Sequence, residues 1–516
     1  MKRKCLAVGI ILLFVGTCII PATAQDIEKS SKTSSRGHWL YVGGSGPGNY
    51  STIQRAINAA NPGDTVFVYN GTYYENIIVN KTINLLGENK NTTIIDGGGI
   101  TDVVLICADQ ANISRFTIQN SGNDRWNAGI NIHANYTYVF DNSVTNHNKL
   151  GIVIGTEEKH LYHHNIINKN LVSKNWDTNI WIEESDYNDI TNNIIFQDLN
   201  RDCICTRYSN HCKIENNTLL DSPYGISLFW GSYATVTNNF IKNCSIMGIY
   251  LNGQHHNLIG FNSIENCNYD SIMGMGIRLE SQSNNNTIIN NYVNYTISAG
   301  ISLYSSSNNN IIRGNTIKNC HCYGISNGCD NNKFYHNNFF RNVPQNAYDP
   351  GNTPWDNGYP CSGNYWDEYL GTDNYCGVGQ NEIGSDGVGD TPYNVSGGNN
   401  QDQYPLMSPY GITKLAITIH LTLFRLSMTI KNVGNTTAFN VQWSNVLEGR
   451  FIILGNDSSG EIPKPLLPNQ EIRVSSKFFL LGFGKIEMTF TAWADNCPIV
   501  STKINGILLL FFFFIR

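Results

Sequence analysis

The stretch GISLFWGSYATVTNNFIKNCSIMGIYL, residues 225–251, begins and ends with the same phrase: a glycine, an isoleucine, a variable residue and a leucine. Between the two copies lies a second half-phrase built around an asparagine, here Asn239. The two half-phrases recur every 22 to 29 residues between Gly129 and about Phe340. A fixed period of this length indicates stacked repeats, and short apolar runs between polar turns indicate that each repeat is made of strands.

The two half-phrases recur with the same period along the whole stretch. The first begins at Gly129, Gly151, Asn179, Cys203, Gly225, Gly248, Gly276, Gly300 and Gly324. The second contains Asn142, Asn165, Asn193, Asn217, Asn239, Asn262, Asn291, Asn315 and Asn338. Asparagine tolerates the left-handed backbone of turns and hydrogen-bonds to its neighbours along a stack. We therefore assign the asparagine column to the structure of the turns.

Composition limits the class of protein. The chain has 516 residues, a formal charge of −6 and only 14% charged residues. That length is too great for one compact core, but a solenoid extends its core with each added coil. The weak negative charge argues against a nucleic-acid partner, which calls for a basic face.

The N-terminus has the pattern of an export signal over residues 1–24. A basic start at 2–4 precedes an apolar run over 5–20 and a small-residue cleavage site, Ala-Thr-Ala, at 22–24. The run is shorter than the ~20 residues of a spanning helix. Thirteen Asn-x-Ser/Thr sequons agree with a secreted or cell-surface glycoprotein.

Two stretches outside the repeats carry a resemblance. STIQRAINAANPGDTVFVYNGTYYENIIVNKTINLLGE, residues 51–88, begins with the pattern of a short helix over 51–60 with Ser51 as its N-cap. GNYWDEYLGTD, residues 363–373, follows the repeats. Together with the repeats they resemble the NosD-type family of right-handed parallel β-helices, in the pectin-lyase-like superfamily, over residues 38–410. The resemblance implies an all-β solenoid but no single activity, since the superfamily holds lyases, hydrolases, epimerases, adhesins and metal-handling proteins.

After the repeats the pattern changes. Alternating apolar runs, such as those at 416–420 and 426–430, predict a small antiparallel β-sandwich similar to immunoglobulin-like adhesion modules. The apolar residues 507–515 are too few to span a bilayer as a helix. They predict a last strand, with membrane attachment through the terminal apolar segments as the alternative. The predicted order is signal peptide 1–24, flexible lead 25–37, N-terminal cap and first coils 38–128, repeat coils 129–340, Asp/Gly-rich closing segment 341–410, β-sandwich 411–506 and apolar tail 507–516.

The variable positions of the repeat point outward, because the apolar positions alternate with them at period two. The first outward column holds Asn131, Val153, Trp181, Cys205, Ser227, Tyr250, Arg278 and Ser302. The second holds His133, Gly155, Glu183, Arg207, Phe229, Asn252, Glu280 and Tyr304, with Trp230 next to Phe229.

These columns predict a glycan-binding face. The rings that offer flat platforms for sugars are Trp181, Phe229, Trp230, Tyr250 and Tyr304. The polar anchors are Glu183, Arg207, Arg278 and Glu280. The alternative is that the rings shield a sheet and the exposed ion pairs satisfy each other, at ~0 to 1 kcal/mol each. The main hypothesis is a noncatalytic, exported protein that binds a polysaccharide or other envelope component.

An enzyme is the second hypothesis. A polysaccharide lyase or C5-epimerase needs a base and a cation or arginine that neutralises the sugar carboxylate. The two outward columns contain no aspartate, and no catalytic residue is assigned. A hydrolase needs two carboxylates ~5–9.5 Å apart. Glu183 and Glu280 are four coils apart, or ~19 Å at ~4.8 Å per coil, and cannot form such a pair.

Two metal hypotheses remain. Asp373, Asp386, Asp390 and Asp402 lie in an Asp/Gly-rich region that could supply calcium ligands, with aspartate-capped turns as the alternative. Copper delivery, which the resemblance to the NosD-type family implies as an alternative, would use imidazoles. The histidines in question are His133, His147, His160, His163, His164, His255 and His256, whose spacing matches no closed motif.

Twelve cysteines remain outside the signal segment, an even number compatible with disulfides in an exported chain. Cys244 and Cys267 each follow their coil's asparagine by five residues. Adjacent coils at ~4.8 Å fall within the Cα separation of a disulfide. Cys361 and Cys376, which flank one loop, form the other predicted pair.

Overall fold

The computed structural model describes residues 37–155, 161–196, 201–267, 274–411, 414–421, 426–434, 438, 441–454, 457–462, 466, 470–475, 481–494, 497–510 and 512–515. The predicted signal peptide 1–24, nearly all of the lead 25–37 and His160 lie outside these residues.

The chain winds into a parallel β-solenoid with three sheets, each of which takes one short strand from each coil. The first sheet contains Trp39–Val42, Thr65–Val68, Asn84–Gly87, Asn112–Ser114, Tyr138–Phe140, Ile166–Asn168, Asp189–Thr191, Lys213–Glu215, Thr235–Thr237, Leu258–Gly260, Thr287–Ile289, Ile311–Arg313 and Lys333–Tyr335. The second contains Ile77–Val79, Val104–Ile106, Ala128–Ile132, Leu150–Ile154, Ile180–Glu183, Asp202–Arg207, Tyr224–Phe229, Met247–Asn252, Met275–Glu280, Ala299–Leu303, Tyr323–Asn327 and Gln345–Tyr348. The third contains Gly71–Tyr74, Thr93–Asp96, Thr117–Gln119, Ser143–Thr145, Leu171–Ser173, Ile194–Phe196, Thr218–Leu220, Phe240–Lys242, Ser263–Cys267, Tyr292–Thr296, Thr316–Lys318, Asn338–Phe340 and Tyr365–Trp366.

The repeated isoleucines form the core, which confirms the predicted all-β solenoid. Ile226 pairs with Ile249, and Ile249 with Ile277, in parallel register along the second sheet. All three side chains are fully buried. Identical apolar residues therefore stack from coil to coil, so that each added coil buries one more layer.

One short helix, Ile53–Ala59, packs against the first strands of the solenoid. Ile53, Ala56 and Ile57 form its buried face. Its N-cap is Thr52, one residue after the predicted Ser51, and the Thr52 side chain accepts from the Arg55 amide. The carboxylate of Glu75 accepts from the first amides of the helix, 2.8 Å from Ile53 N and 3.0 Å from Gln54 N, and so satisfies donors that the helix cannot.

Between the first and third sheets the buried asparagines form a continuous chain of hydrogen bonds, the asparagine ladder. Its members are Asn142, Asn170, Asn193, Asn217, Asn239, Asn262, Asn291, Asn315, Asn337 and Asn364. Two predicted members are wrong. Asn165 belongs to another corner, where it accepts from Thr137 N, and Asn338 is the neighbour of the true member. Periodicity alone cannot separate asparagines that lie one strand or one residue apart.

The closing segment plugs the end of the core with tryptophans. Trp355 stacks on Phe334 at 4.3 Å, and Trp366 stacks on Phe339 at 4.4 Å between ring centroids. Both tryptophans are buried. Two small antiparallel hairpins, Tyr375–Cys376 with Glu382–Ile383 and Tyr393–Asn394 with Gln401–Asp402, lie in the same segment.

Two antiparallel sheets follow the closing segment. One contains Leu415–Leu421, Leu426–Asn432 and Glu471–Ser475. The other contains Gln442–Leu454, Asp457–Glu461, Leu481–Ala494, Cys497–Leu510 and Phe512–Ile515. Met428 and Ile430 of the first sheet share a hydrophobic cluster with Met488 and Phe490 of the second. Residues 507–510 of the predicted tail extend a strand, and the described part of the chain contains no helix of the length and apolarity that a membrane span requires.

Candidate functional site

The outer face of the second sheet carries the predicted columns in the predicted order. Trp181 pairs with Cys205, Cys205 with Ser227, and Ser227 with Tyr250. In the second column Glu183 pairs with Arg207. The side chains that the sequence singled out therefore lie on neighbouring coils of one surface.

Part of this face is concave. A cleft of about 390 Å³ opens on it, within the roughly 300–1,000 Å³ of small-molecule sites. Its lining residues are Trp181, Arg201, Asp202, Cys205, Arg207, Tyr224, Ser227, Phe229, Trp230 and Tyr250. Five of the nine predicted ligand-binding residues are among them; Glu183, Arg278, Glu280 and Tyr304 are not.

Arg207 is held on one side of the cleft by aromatic rings. Its guanidinium carbon lies 5.1 Å from the ring of Tyr208 and 5.4 Å from that of Trp230. Those two rings stack at 5.2 Å. Arg207 Nη1 lies 3.8 Å from Glu183 Oε1, and its buried Nε has no hydrogen-bond partner among the described residues. Contacts with the faces of the rings thus position the guanidinium, and Glu183 lies beyond hydrogen-bond distance of Nη1.

Trp181 also lines the cleft. Its indole Nε1 donates to Glu183 Oε2 at 2.9 Å. The ring of Trp126 meets it edge to face at 6.0 Å, and both pack on a small apolar cluster that includes Leu150 and Val153. The orientation of the indole is therefore fixed before any ligand arrives, which lowers the entropic cost of binding.

A polar group adjoins the other end of the cleft. Tyr250 OH donates to Glu280 Oε2 at 3.0 Å, and Arg278 Nε donates to the same oxygen at 2.9 Å. The guanidinium of Arg278 lies 5.6 Å from the ring of Tyr304. Burial, together with the hydrogen bond to Glu280, raises the pKa of Tyr250. The phenol therefore stays protonated at physiological pH.

Sequence reasoning missed Asp202, the carboxylate of the cleft. It is 7% exposed, and Ser227 Oγ donates to its Oδ1. Burial raises the pKa of Asp202 to about 6, although the hydrogen bond from Ser227 lowers it. Strict alternation directs Asp202 inward with Ile204, but Cys203 and Ile204 both face the core, so the alternation breaks there. Its register partner Tyr224 could have revealed it. Tyr224 lies one residue before the repeated phrase and belongs, with Asp202, to a third outward column.

The described residues that line the cleft do not include the pair of carboxylates that a hydrolase uses. Among the described residues that line it, Asp202 is the single carboxylate. A hydrolase requires two carboxylates across the scissile bond.

Among the described residues, the predicted calcium residues do not form a shared set of metal ligands. Asp373 accepts from the amides of Asp386 and Gly387, and Asp390 accepts from the amides of Asn374 and Tyr375. Asp402 is fully buried. It accepts from Asn364 N at 2.7 Å and Trp366 Nε1 at 2.9 Å. Asp386 accepts from Val388 N and Gln380 Nε2. All four carboxylates therefore accept hydrogen bonds from donors within the closing segment, as the alternative of capped turns predicts.

The described histidines considered for copper do not converge on one site, although His163 and His164 are neighbours. His147 is buried, accepts from Ser121 N, and has its pKa lowered to about 3 by burial. His133 stacks on Tyr162 at 5.5 Å. His163 and His164 approach each other at 2.8 Å between Nδ1 atoms. His255 forms a β-bridge with Ser232 in a turn.

Two of these histidines belong to an exposed aromatic stack along one corner of the solenoid. Its members are Tyr136, His164, Tyr187, His211, Tyr233 and His256, with centroids 4.5 to 5.3 Å apart. The imidazoles alternate with phenols, so successive histidines lie two coils, or ~10 Å, apart. Across the described residues no three His, Cys, Asp or Glu side chains gather as a metal-ligand set, and the residues present do not fit a copper centre.

The predicted disulfides are not formed: Cys244, Cys267, Cys361 and Cys376 are free thiols. Cys244 and Cys267 are nevertheless neighbours, since a hydrogen bond with Cys267 together with burial raises the pKa of Cys244. Cys361 Sγ instead accepts from Asn357 Nδ2 at 2.8 Å, and Cys376 lies in the hairpin opposite Glu382. Cys361 and Cys376 are therefore not bonded to each other, although they flank one loop.

Comparison with known proteins places the chain as follows. No curated protein matches it. A GH87 α-1,3-glucanase catalytic unit from Streptomyces thermodiastaticus is similar in structure, with 13% identity, 60% of this chain and 68% of that chain covered, and a TM-score of 0.46. The A-module of mannuronan C-5 epimerase AlgE4 from Azotobacter vinelandii shows 18% identity, coverages of 60% and 98%, and a TM-score of 0.38. The Dettilon tailspike protein shows 13% identity, coverages of 90% and 93%, and a TM-score of 0.42. Such identities concern the fold alone. Residues 198–371, which include every cleft residue except Trp181, match the model of the NosD family, described as periplasmic copper-binding protein.

Proposed function

We propose that this protein binds glycans, without altering them, in the cleft on the outer face of the second sheet. The observation that carries the proposal is the combination of five rings, Trp181, Tyr224, Phe229, Trp230 and Tyr250, with charged groups in one concavity. Sugars present C–H faces that pack on rings and hydroxyls that bond to charged side chains. A mostly apolar cleft with a few convergent polar groups is typical of a small-molecule site.

Two features of the cleft support a sugar over a wholly apolar ligand. Arg207 offers guanidinium donors beside the rings of Tyr208 and Trp230. Asp202 offers an acceptor at the floor. Trp230 is 46% exposed, so part of its side chain is accessible to a ligand.

We place this binding outside the cytoplasm, at the cell surface or in the surrounding medium. The apolar run at 5–20 with its basic start supports export. The matched family model is described as periplasmic, which agrees with it.

A glycan array probed with the full chain tests the proposal. We expect binding to at least one glycan, and the Trp181→Ala, Tyr250→Ala double variant should weaken it about ten-fold or more, as loss of aromatic anchors does. The matched control is Tyr295→Ala, since Tyr295 is 48% exposed and belongs to the third sheet. A blank array, or equal binding by wild type and double variant, would sink the proposal.

A further inference from the structure

The floor of the cleft contains an acceptor that the protein itself does not fully use. Asp202 is 7% exposed, yet one of its oxygens, Oδ2, accepts no hydrogen bond from any other residue in the described part of the chain. Its Oδ1 accepts a hydrogen bond from Ser227 Oγ. The backbone amide of Asp202 also bonds to its own carboxylate, but no other described residue donates to Oδ2, so this oxygen is open to a donor from a ligand.

The arginines around the cleft already have acidic partners. Arg201 Nε lies 3.5 Å from Asp177 Oδ1, and Arg207 Nη1 lies 3.8 Å from Glu183 Oε1. Arg278 is paired with Glu280 at 2.9 Å. With Asp202 ionised, these three arginines are set against four carboxylates among the described residues: Asp177, Glu183, Asp202 and Glu280.

We propose that the glycan bound here is uncharged, and that Asp202 accepts a hydrogen bond from one of its hydroxyl groups. A sugar carboxylate placed at the floor would face the carboxylate of Asp202, and the charge of Arg207 is already offset by Glu183 at 3.8 Å. A hydroxyl, in contrast, donates to Asp202 Oδ2 in a charge-assisted hydrogen bond, which is about twice as strong as a neutral one. This inference rests on the proposed function of the cleft.

The groups that face Asp202 set how its ionisation responds to pH. Arg201 favours the carboxylate, and Asp177 on the preceding coil disfavours it. Tyr224 and Ser227 face it from the following coil, Ser227 as a donor to the carboxylate. Burial raises the pKa of Asp202 to about 6, so that the carboxylate forms within the physiological range. A ligand that donates to the carboxylate binds more tightly as pH rises through this value.

Calorimetric titration of the full chain tests the inference with two probes, neutral gluco-oligosaccharides and oligogalacturonates. We expect the neutral series to bind more tightly, and its affinity to rise about ten-fold from pH 5 to pH 7.5. Asp202→Asn should remove this rise, and Ser227→Ala should shift its midpoint upward, because Ser227 stabilises the carboxylate. Asp221→Asn is the matched control, since Asp221 is exposed in a turn outside the cleft.

The outcomes separate the two proposals. Tighter binding of the uronate series, or the same pH profile in wild type and Asp202→Asn, overturns the inference but leaves glycan binding in place. No binding of any sugar by a chain with an unchanged melting temperature overturns both.

Discussion

Asn239 and Tyr250 belong to the same coil but to opposite kinds of column. Asn239 stands in the asparagine ladder, where it donates to Asn262 Oδ1 and to Ile214 O and receives from Asn217, as its neighbours do in their turn. Tyr250 stands between Ser227 and Arg278, and no two residues of its column between Trp181 and Arg278 are alike. Uniform columns are where the solenoid is held together. The side chains of varied columns do not hold the coils together, because only the backbone of the sheet must repeat there. The surface of a varied column can therefore acquire a ligand.

Breaking the ladder should give the largest effect on stability. In Asn217→Ala, Ile190 O loses its donor at 2.8 Å and Asn193 N loses its acceptor at 2.9 Å, both in buried surroundings. At about 1–3 kcal/mol for each unpaired group, urea denaturation should show a loss of several kcal/mol in the free energy of unfolding. The control Asn381→Ala, at an exposed loop position, should leave the unfolding curve in place. An equal effect of the two variants would mean that the ladder is no different from surface asparagines.

The second largest effect on stability should come from His147, which stands in a corner column. In the next coil of this column lies Asn175, whose Oδ1 accepts from His147 N. Burial lowers the pKa of His147 to about 3, below the ~6.5 of an unfolded chain. The unfolded state therefore binds the extra proton, so the stability that neutral His147 contributes is present above pH ~6.5 and is lost as pH falls toward 3. His147→Asn should flatten the decline in melting temperature between pH 6.5 and pH 4, which differential scanning calorimetry measures. A wild-type decline that persists in the variant would place the acid sensitivity elsewhere.

The smallest effect on stability should come from the varied face. Glu280→Gln keeps an oxygen that can accept from Arg278 and Tyr250, and it removes only a charge in a partly exposed pair. We expect a change within about 1 kcal/mol in the free energy of unfolding. A loss as large as that of Asn217→Ala would erase the contrast between uniform and varied columns.

The repeat itself was enough to predict the solenoid. The isoleucine positions and the register of both outward columns follow from the 22 to 29 residue spacing, because a parallel stack places equivalent residues side by side. Trp181, Arg207 and Tyr250 were found in this way and do line the cleft.

The residues that the sequence pattern failed to predict lie where the backbone departs from the repeat. Asp202 was missed because the strand breaks its alternation at Cys203, and Asn170 was missed because Asn165 fits the period equally well. The aspartates at 373, 386, 390 and 402 were grouped by composition, whereas backbone amides decide where each carboxylate turns.

The helix Ile53–Ala59 has a consequence for the molecule's behaviour in concentrated solution. It packs on the strands Trp39–Val42, Thr65–Val68 and Ile77–Val79, which begin the first and second sheets. An open end of a parallel solenoid presents unpaired amides and carbonyls that a second copy can extend, coil upon coil, into a fibre. The helix places a non-repeating surface against the first strands of two of the three sheets, and we expect it to hinder such end-to-end growth.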